Sequence, residues 1–408
     1  MLYTLMHRDV RVMNLDIDEY SNITALGEIF HKEHLPLGTY NKIGVERKSL
    51  NAWWTRRSIP ASRQGIREVL EELELSSPQE LINKCFGLSL SDQYWVSPID
   101  QPLDWHRINF FENDFSEDIG NLLFGKGQVT DSVSLFSPDN TANGNLKKKW
   151  KIIDGKRVLI KSASAPYHQE AYNEVIASMI AERLGIDHVP YRILREHGEV
   201  CCGCEDFINS ETDLVPAAAV TKAFKKRNEV SDYEFYIDCC ERLGIKNIRM
   251  QMEKMLVLDY LIVNEDRHLN NFGLIRNAVT LEWLKAAPVY DCGNSLWFNR
   301  IVSQIRPDQV KDMKTPLWKK NPVNNLELIR DYSWLDLSRL DGIEHDICSL
   351  LESSEYMEPP RIHALCSAIR QQIEQLDEIA HSHHPDVGEA DKAQKIGKTE
   401  IQPPHMTM

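Results

Sequence analysis

The sequence predicts an α+β fold of two lobes facing a cleft, with an additional α/β region ahead of them. Three observations carry this. Strand-like runs and one long helical stretch fill residues 126–215, and helical patterns dominate 216–383. The densest group of chemically capable residues, 264–273, directly follows a strongly apolar helix of the second block. Residues 1–125 form a mixed front region, and 384–408, without apolar periodicity, read as a disordered tail.

The elements follow in order. Apolar runs at 2–6 and 10–15 around His7 and Arg8 suit a small hairpin. Ile66, Val69, Leu70 and Leu73 recur at helical spacing, which predicts a helix over 63–75 after Ser62. Ser77-Pro78-Gln79-Glu80 has the form of a capping box with proline at the first helical position, and Gly87 ends that helix. A Ser-, Thr-, Asp-, Asn- and Gly-rich stretch over 128–145 leads to strands at 149–153 and 157–161, joined by Asp154-Gly155 as a hairpin turn. A helix over 170–184 stops at Gly185, and strand material over 190–208 centres on Val200 and Phe207. Helices are expected at 216–225, at 231–243 with the capping box Ser231-Asp232-Tyr233-Glu234, and at 248–263. Strands at 281–284 and 287–289 and amphipathic helices at 343–351 and 360–380 complete the chain. No internal repeat is present.

Composition narrows the class. Basic residues number 47 against 61 acidic, a net charge of −14, which disfavours broad phosphate neutralisation and with it direct nucleic-acid binding. Arg8 and Asp9 interrupt the first ten residues, so no signal peptide is expected, and no run approaches a membrane span. The expected setting is therefore the cytoplasm, with the nine cysteines as reduced thiols. Cys201, Cys202 and Cys204 read as small apolar residues of a buried strand, and His381, His383 and His384 as solvated surface. Lys147, Lys148 and Lys149 have two readings, an edge strand protected by lysine or a contact to phosphates.

Asn264-Glu265-Asp266-Arg267-His268-Leu269-Asn270-Asn271-Phe272-Gly273 packs polar groups between two apolar elements. Phosphoryl transfer needs such a group: a carboxylate to orient the attacking hydroxyl, and a short oxygen ligand for Mg²⁺ on the nucleotide phosphates. Asp266 and Asn271 offer that pair. Tyr290-Asp291-Cys292-Gly293-Asn294 follows the next strands, and a hairpin would return Asp291 beside Asn271, with Gly293 permitting the turn.

Together, Asp-Arg-His-x-x-Asn-Phe-Gly and Tyr-Asp-x-Gly resemble the catalytic and metal-binding motifs of HipA-like kinases, CtkA-type proteins included, over roughly residues 130–375. The resemblance implies a protein-kinase-like fold, ATP and Mg²⁺, Asp266 as catalytic base, and Asn271 and Asp291 on the metal. It implies Lys161 on the phosphates, positioned by Glu174, with Glu170 as the alternative partner one turn away on the same face. It puts the nucleotide-covering loop at 137–144, where Thr141 and Gly144 would meet phosphates; that loop has one glycine, departing from the kinase pattern. Ser137 or Thr141 is either an autophosphorylation site or part of a plain surface turn. Glu205-Asp206-Phe207-Ile208 takes the place of the hinge, with the backbone of Glu205 and Phe207 on adenine. His268 is expected to tie the loop together, and Arg267 to pair with an acid or a phosphorylated loop.

The function implied is a serine/threonine protein kinase acting on a protein substrate, with an antitoxin or regulatory partner in view and acceptor specificity in the helical block and 297–318. A small-molecule kinase on the same scaffold and a nucleotide-binding pseudokinase of a toxin–antitoxin system are the alternatives.

Overall fold

The computed structural model describes residues 1–127 and 133–383. The tail expected over 384–408 and the first five residues of the 128–145 stretch lie outside them. The described chain is a mixed α/β structure built from three antiparallel sheets and helices.

Strands β1 (Leu2–His7), β2 (Val10–Ile17), β3 (Ile23–Ile29) and β4 (Tyr94–Pro98) form the first sheet in the order β3-β2-β1-β4. The predicted hairpin is β1 and β2. Helix α1 (Arg47–Thr55) covers this sheet, and α2 (Ile66–Glu72), α3 (Glu80–Lys84), α4 (Trp105–Ile108) and α5 (Asp118–Leu123) follow as short pieces. Helix α2 starts at Ile66, with Gly65 as its N-cap, rather than after Ser62, whose hydroxyl is drawn to Asn145 Oδ1 at 2.7 Å instead of capping a helix. The box at Ser77 is half formed: the Glu80 carboxylate accepts from the Ser76 and Ser77 amides at 2.9 Å.

The second sheet has the order β5-β6-β8-β7, from β5 (Lys148–Ile153), β6 (Lys156–Ser162), β7 (Tyr191–Glu196) and β8 (Glu199–Glu205). Asp154 and Gly155 both have positive φ, 52° and 76°, as the tight hairpin turn between β5 and β6 requires. Helix α6 (Gln169–Leu184) lies between β6 and β7 and ends on Gly185 at φ 66°. Phe207 lies beyond the end of β8. Strand β9 (Thr212–Pro216) leaves this block to pair with β10 (Gly273–Asn277), which also pairs with β11 (Trp283–Ala286). The strand expected at 287–289 is reduced to one bridge between Val289 and His188, since the chain turns away from β10 there.

Helices α7 (Ala217–Lys222), α8 (Asp232–Arg242), α9 (Ile248–Leu261), α10 (Pro322–Leu326), α11 (Ile343–Glu352) and α12 (Pro359–His383) make up the helical block. One apolar core joins them to α6, running from Ile176 and Ile180 through Val257 and Leu261 to Ile347 and Ile369. Helix α6 is therefore the element shared by sheet and helices. The all-thiol expectation is corrected at one pair: Cys348 and Cys366 form a disulfide between the packed helices α11 and α12, whose contact brings the Cα atoms to 6.0 Å. The other seven cysteines are free and buried, Cys201, Cys202 and Cys204 within β8 as expected. No helix among the described residues is long and apolar enough to cross a membrane.

A buried polar cluster ties the front region to the rest. Asp213 of β9 accepts from Arg276 of β10 at 2.8 Å and from the Gln93 amide at 2.9 Å, and it meets His7 Nε2 of β1 at 3.0 Å. Arg276 also donates to the Tyr94 hydroxyl, which donates to the His34 carbonyl. Burial disfavours the Asp213 charge, but His7 and Arg276 overcome it and hold the carboxyl below the usual range.

Candidate active site

Lys161 on β6 is where three elements meet. Its ammonium, 4% exposed, donates to Glu174 Oε1 on α6 at 2.8 Å, to Asp291 Oδ1 at 2.7 Å and to the Tyr191 hydroxyl on β7 at 3.1 Å. Burial alone would discharge it; the two carboxylates outweigh that and hold it charged well above the ordinary lysine value. Asp291 is held below the usual carboxylate range in turn: burial opposes its charge, and Lys161 and then Lys148 overcome the opposition. Glu174 is the partner of Lys161, while Glu170 accepts from the Ser164 amide at 3.1 Å and from its hydroxyl. Glu174 Oε2 also accepts from the Cys292 amide at 2.8 Å, fixing the turn after Asp291 to α6. Gly293 allows that approach, since a Cβ there would lie 3.2 Å from the Glu170 carbonyl oxygen.

The 264–273 loop is organised around Arg267, 1% exposed. Its Nε donates to Asp259 Oδ2 of α9 at 3.0 Å and its Nη2 to Oδ1 at 2.9 Å, a bidentate pair. Its Nη1 donates to the carbonyls of Asn271 (2.8 Å) and Tyr290 (2.6 Å), so one guanidinium locks both motif segments side by side. Burial opposes this charge too, and Asp259 more than compensates. Asn271 Nδ2 donates to the Asp266 carbonyl at 3.0 Å, and Asn294 Nδ2 donates to Asp266 Oδ2 at 2.9 Å. His268 accepts from the Asn270 amide at 3.3 Å, a tie within the loop. Val263, just before the loop, is held at φ 50°, a strained setting for a β-branched residue.

Asp266, Asn271, Asp291, Lys161 and Glu174 thus form one connected group. The expected loop and hinge residues border it. Pro138–Thr141 is one 3-10 turn, with the Thr141 hydroxyl donating to the Leu88 carbonyl at 2.8 Å and the fully buried Ser137 hydroxyl donating to Asp139 at 3.1 Å. Both hydroxyls are committed to the protein. At Gly144, φ 106°, a Cβ would run into the Lys148 ammonium. Glu205 ends β8 with its side chain on Lys156 at 2.7 Å, and the Phe207 ring lies 5.5 Å from that of Tyr290, the neighbour of Asp291.

Asp139 is fully buried and accepts from the Trp150 amide at 2.7 Å. Burial pushes its acid up to about 7, against Trp150, Ser137, Arg63 and Lys149, which favour the carboxylate. The folded state therefore binds this proton where the unfolded chain, near about 3.9, has lost it. Its stabilising contribution is complete below about pH 4 and is lost as pH rises to 7, by about 4 kcal/mol at most. Asp139→Asn, neutral throughout, is expected to lose this slope. Urea denaturation at pH 5 and 8 should show the variant gaining on wild type at the higher pH; parallel slopes refute the assignment.

Lys148 is the residue that motif reading alone does not single out. It sits directly opposite Lys161 in the β5–β6 register, hence on the same face, and its buried ammonium has no hydrogen-bond or ion-pair partner among the described residues. Burial lowers it to about 8, with Asp291 pulling the other way. Its signal in the sequence is positional, since Lys148 and Lys161 are equidistant from the Asp154-Gly155 turn. Lys149, on the other face, pairs with Glu117 at 3.1 Å and with Glu196.

Residues 141–375 match the family described as the HipA-like C-terminal domain, and the chain belongs to that family. Among curated proteins, the serine/threonine-protein kinase CtkA of Helicobacter pylori (strain J99) is 25% identical over 137 residues, 32% of this chain. The chain spans 42% of that relative's length. Among solved structures, the Helicobacter pylori proinflammatory kinase CtkA aligns at 17% identity over 59% of this chain and 92% of its own, TM-score 0.46. A chain of the Shewanella oneidensis MR-1 toxin–antitoxin complex of HipA, HipB and operator DNA aligns at 13% identity over 93% and 99%, TM-score 0.49.

Proposed function

We propose that the chain is an ATP- and Mg²⁺-dependent phosphotransferase of two-lobed, kinase-like organisation, and specifically a serine/threonine protein kinase. The observation that carries this is the Lys161 ammonium clasped between Glu174 and Asp291, with Asp291 wired through Tyr290 and Arg267 to the loop bearing Asp266 and Asn271. Phosphoryl transfer asks for these parts and little covalent chemistry.

The donor set fits the metal. Asn271 and Asp291 are hard oxygen ligands, and no group of three or more histidine, cysteine or carboxylate side chains among the described residues competes as a metal cage. A cation held by one or two protein oxygens and completed by phosphates is the Mg²⁺ pattern. Held by Asn271 and Asp291, Mg²⁺ would supply neutralisation of the charge developing on the transferred group. Lys161 and Lys148 supply two buried cations from adjacent strands, and Lys148, unpaired, would gain a partner in a phosphate. Asp266, oriented by Asn294, accepts the proton of the acceptor hydroxyl. The acceptor approaches by a cavity of about 370 Å³ beside the loop, lined by Glu265, Trp297, Arg300, Arg306, Asp312 and Lys314. An antitoxin or regulatory partner and a cytoplasmic setting belong to the same proposal, on family membership alone.

The test is incubation of the purified protein with γ-labelled ATP and Mg²⁺, following label on the protein, on myelin basic protein and on a cell lysate. Label on any of them that EDTA abolishes is the expected result. ATP binding without transfer to any of the three refutes the enzyme reading in favour of a pseudokinase, for which the closed loop hydroxyls and single glycine speak.

A further inference from the structure

The loop expected to cover the nucleotide is held from outside, by the front region. Arg63, 2% exposed and just ahead of α2, donates from Nε to the Gly144 carbonyl at 2.9 Å and from Nη2 to the Ala142 carbonyl. Among the described residues no other group donates to either carbonyl. Ser62 reinforces the contact through Asn145 Oδ1, and the Gln64 amide donates to the Asn145 carbonyl at 3.4 Å. Burial lowers the guanidinium to about 10, and Asp139 on the loop only partly offsets it.

A peptide unit is planar and trans, so its N–H points opposite to its C=O. With the Ala142 and Gly144 carbonyls turned onto Arg63, the amides of Asn143 and Asn145 face the other way. Neither amide donates to any acceptor among the described residues. Two such amides beside a buried unpaired lysine, with Gly144 packed onto the Lys148 ammonium, make a concavity suited to an anion.

We infer that Arg63 is a positioning residue: from the front region it fixes the orientation of the 142–143 and 144–145 peptide units, and so sets how tightly the site holds nucleotide phosphates. This rests on the nucleotide-binding reading above. It assigns part of residues 1–125 to the nucleotide site, so that anything displacing the segment around Arg63 would loosen phosphate binding without touching the adenine side.

The experiment compares full-length wild type, Arg63→Met and Arg63→Lys for binding of MgATP, MgADP and adenosine by calorimetry, with amide hydrogen exchange across 142–145. Arg63→Met is expected to weaken ATP and ADP roughly tenfold or more, the scale of losing one or two charge-assisted hydrogen bonds, while adenosine binding stays unchanged and loop exchange accelerates. Arg63→Lys, which can keep one carbonyl, should fall between. Unchanged ATP affinity and exchange in Arg63→Met overturn the inference, and so does an equal loss for ATP and adenosine, which would mark a merely structural residue. If Arg63→Met does not fold, an unaltered ATP-to-adenosine ratio in Arg63→Lys overturns it. Wild type that binds no nucleotide overturns the parent reading and this inference together, whereas failure confined to the variants overturns this one alone.

Discussion

Asp266→Ala is expected to lower phosphoryl transfer by roughly 10²–10⁴-fold while ATP affinity stays within about threefold of wild type. The split follows from the geometry. The Asp266 carboxylate is tied to Asn294 and makes no contact with Lys161, Asp291 or Glu174, so its removal leaves the phosphate-holding groups in place. Asn294 loses one partner at a half-buried site, a small structural cost. Lys161→Met should give the opposite signature. It strips the cation from two carboxylates, one of them buried, and nucleotide binding itself should fall. Single-turnover transfer rates and ATP binding, measured on the same preparations, separate the two. Equal losses of binding and rate in Asp266→Ala would remove it from the transfer step.

The second large effect is on stability. Arg267→Met is expected to cost about 3–5 kcal/mol, the usual consequence of leaving a buried charge without its partner. Asp259 would lose a bidentate cation, and the Asn271 and Tyr290 carbonyls would lose their shared donor. Arg267→Lys should rescue little, because one ammonium cannot span Asp259 and both carbonyls. A double variant with Asp259→Leu should recover part of the loss, since it removes the stranded charge. Urea titrations of the four proteins measure this, and a single-variant cost under about 1 kcal/mol would refute the reading of Arg267 as the clamp.

Much of this site is legible in the sequence because its parts lie in short, strongly patterned segments. Asp266 and Asn271 share one loop, and the Asp154-Gly155 turn and the Gly185 stop delimit the strand and helix that carry Lys161 and Glu174. The choice between Glu170 and Glu174 was not legible. Both lie on one face of α6, and the selection is made by Ser164 and the Cys292 amide, which come from other segments. Strands β4 and β9 were missed for a related reason: each is five residues long and is defined by partners far away in sequence, β1 and β10. The Cys348–Cys366 link, the start of α2 and the grip of Arg63 on the loop likewise depend on tertiary approach, which local periodicity does not encode.

The polar cluster at Asp213 bears on how the protein comes into being. His7 and Asp213 are separated by 206 residues, and Arg276 lies further on still. At about 5–20 residues per second, a ribosome needs roughly 10–40 s to pass from one to the other. Until Asp213 emerges, His7 keeps only its contact to His34 and lacks its carboxylate, and the Tyr94 hydroxyl, already donating to the His34 carbonyl, waits still longer for Arg276. The front region is synthesised first but gains these partners only when β9 and β10 emerge, and nascent chains stalled before β10 should be the species most dependent on chaperones.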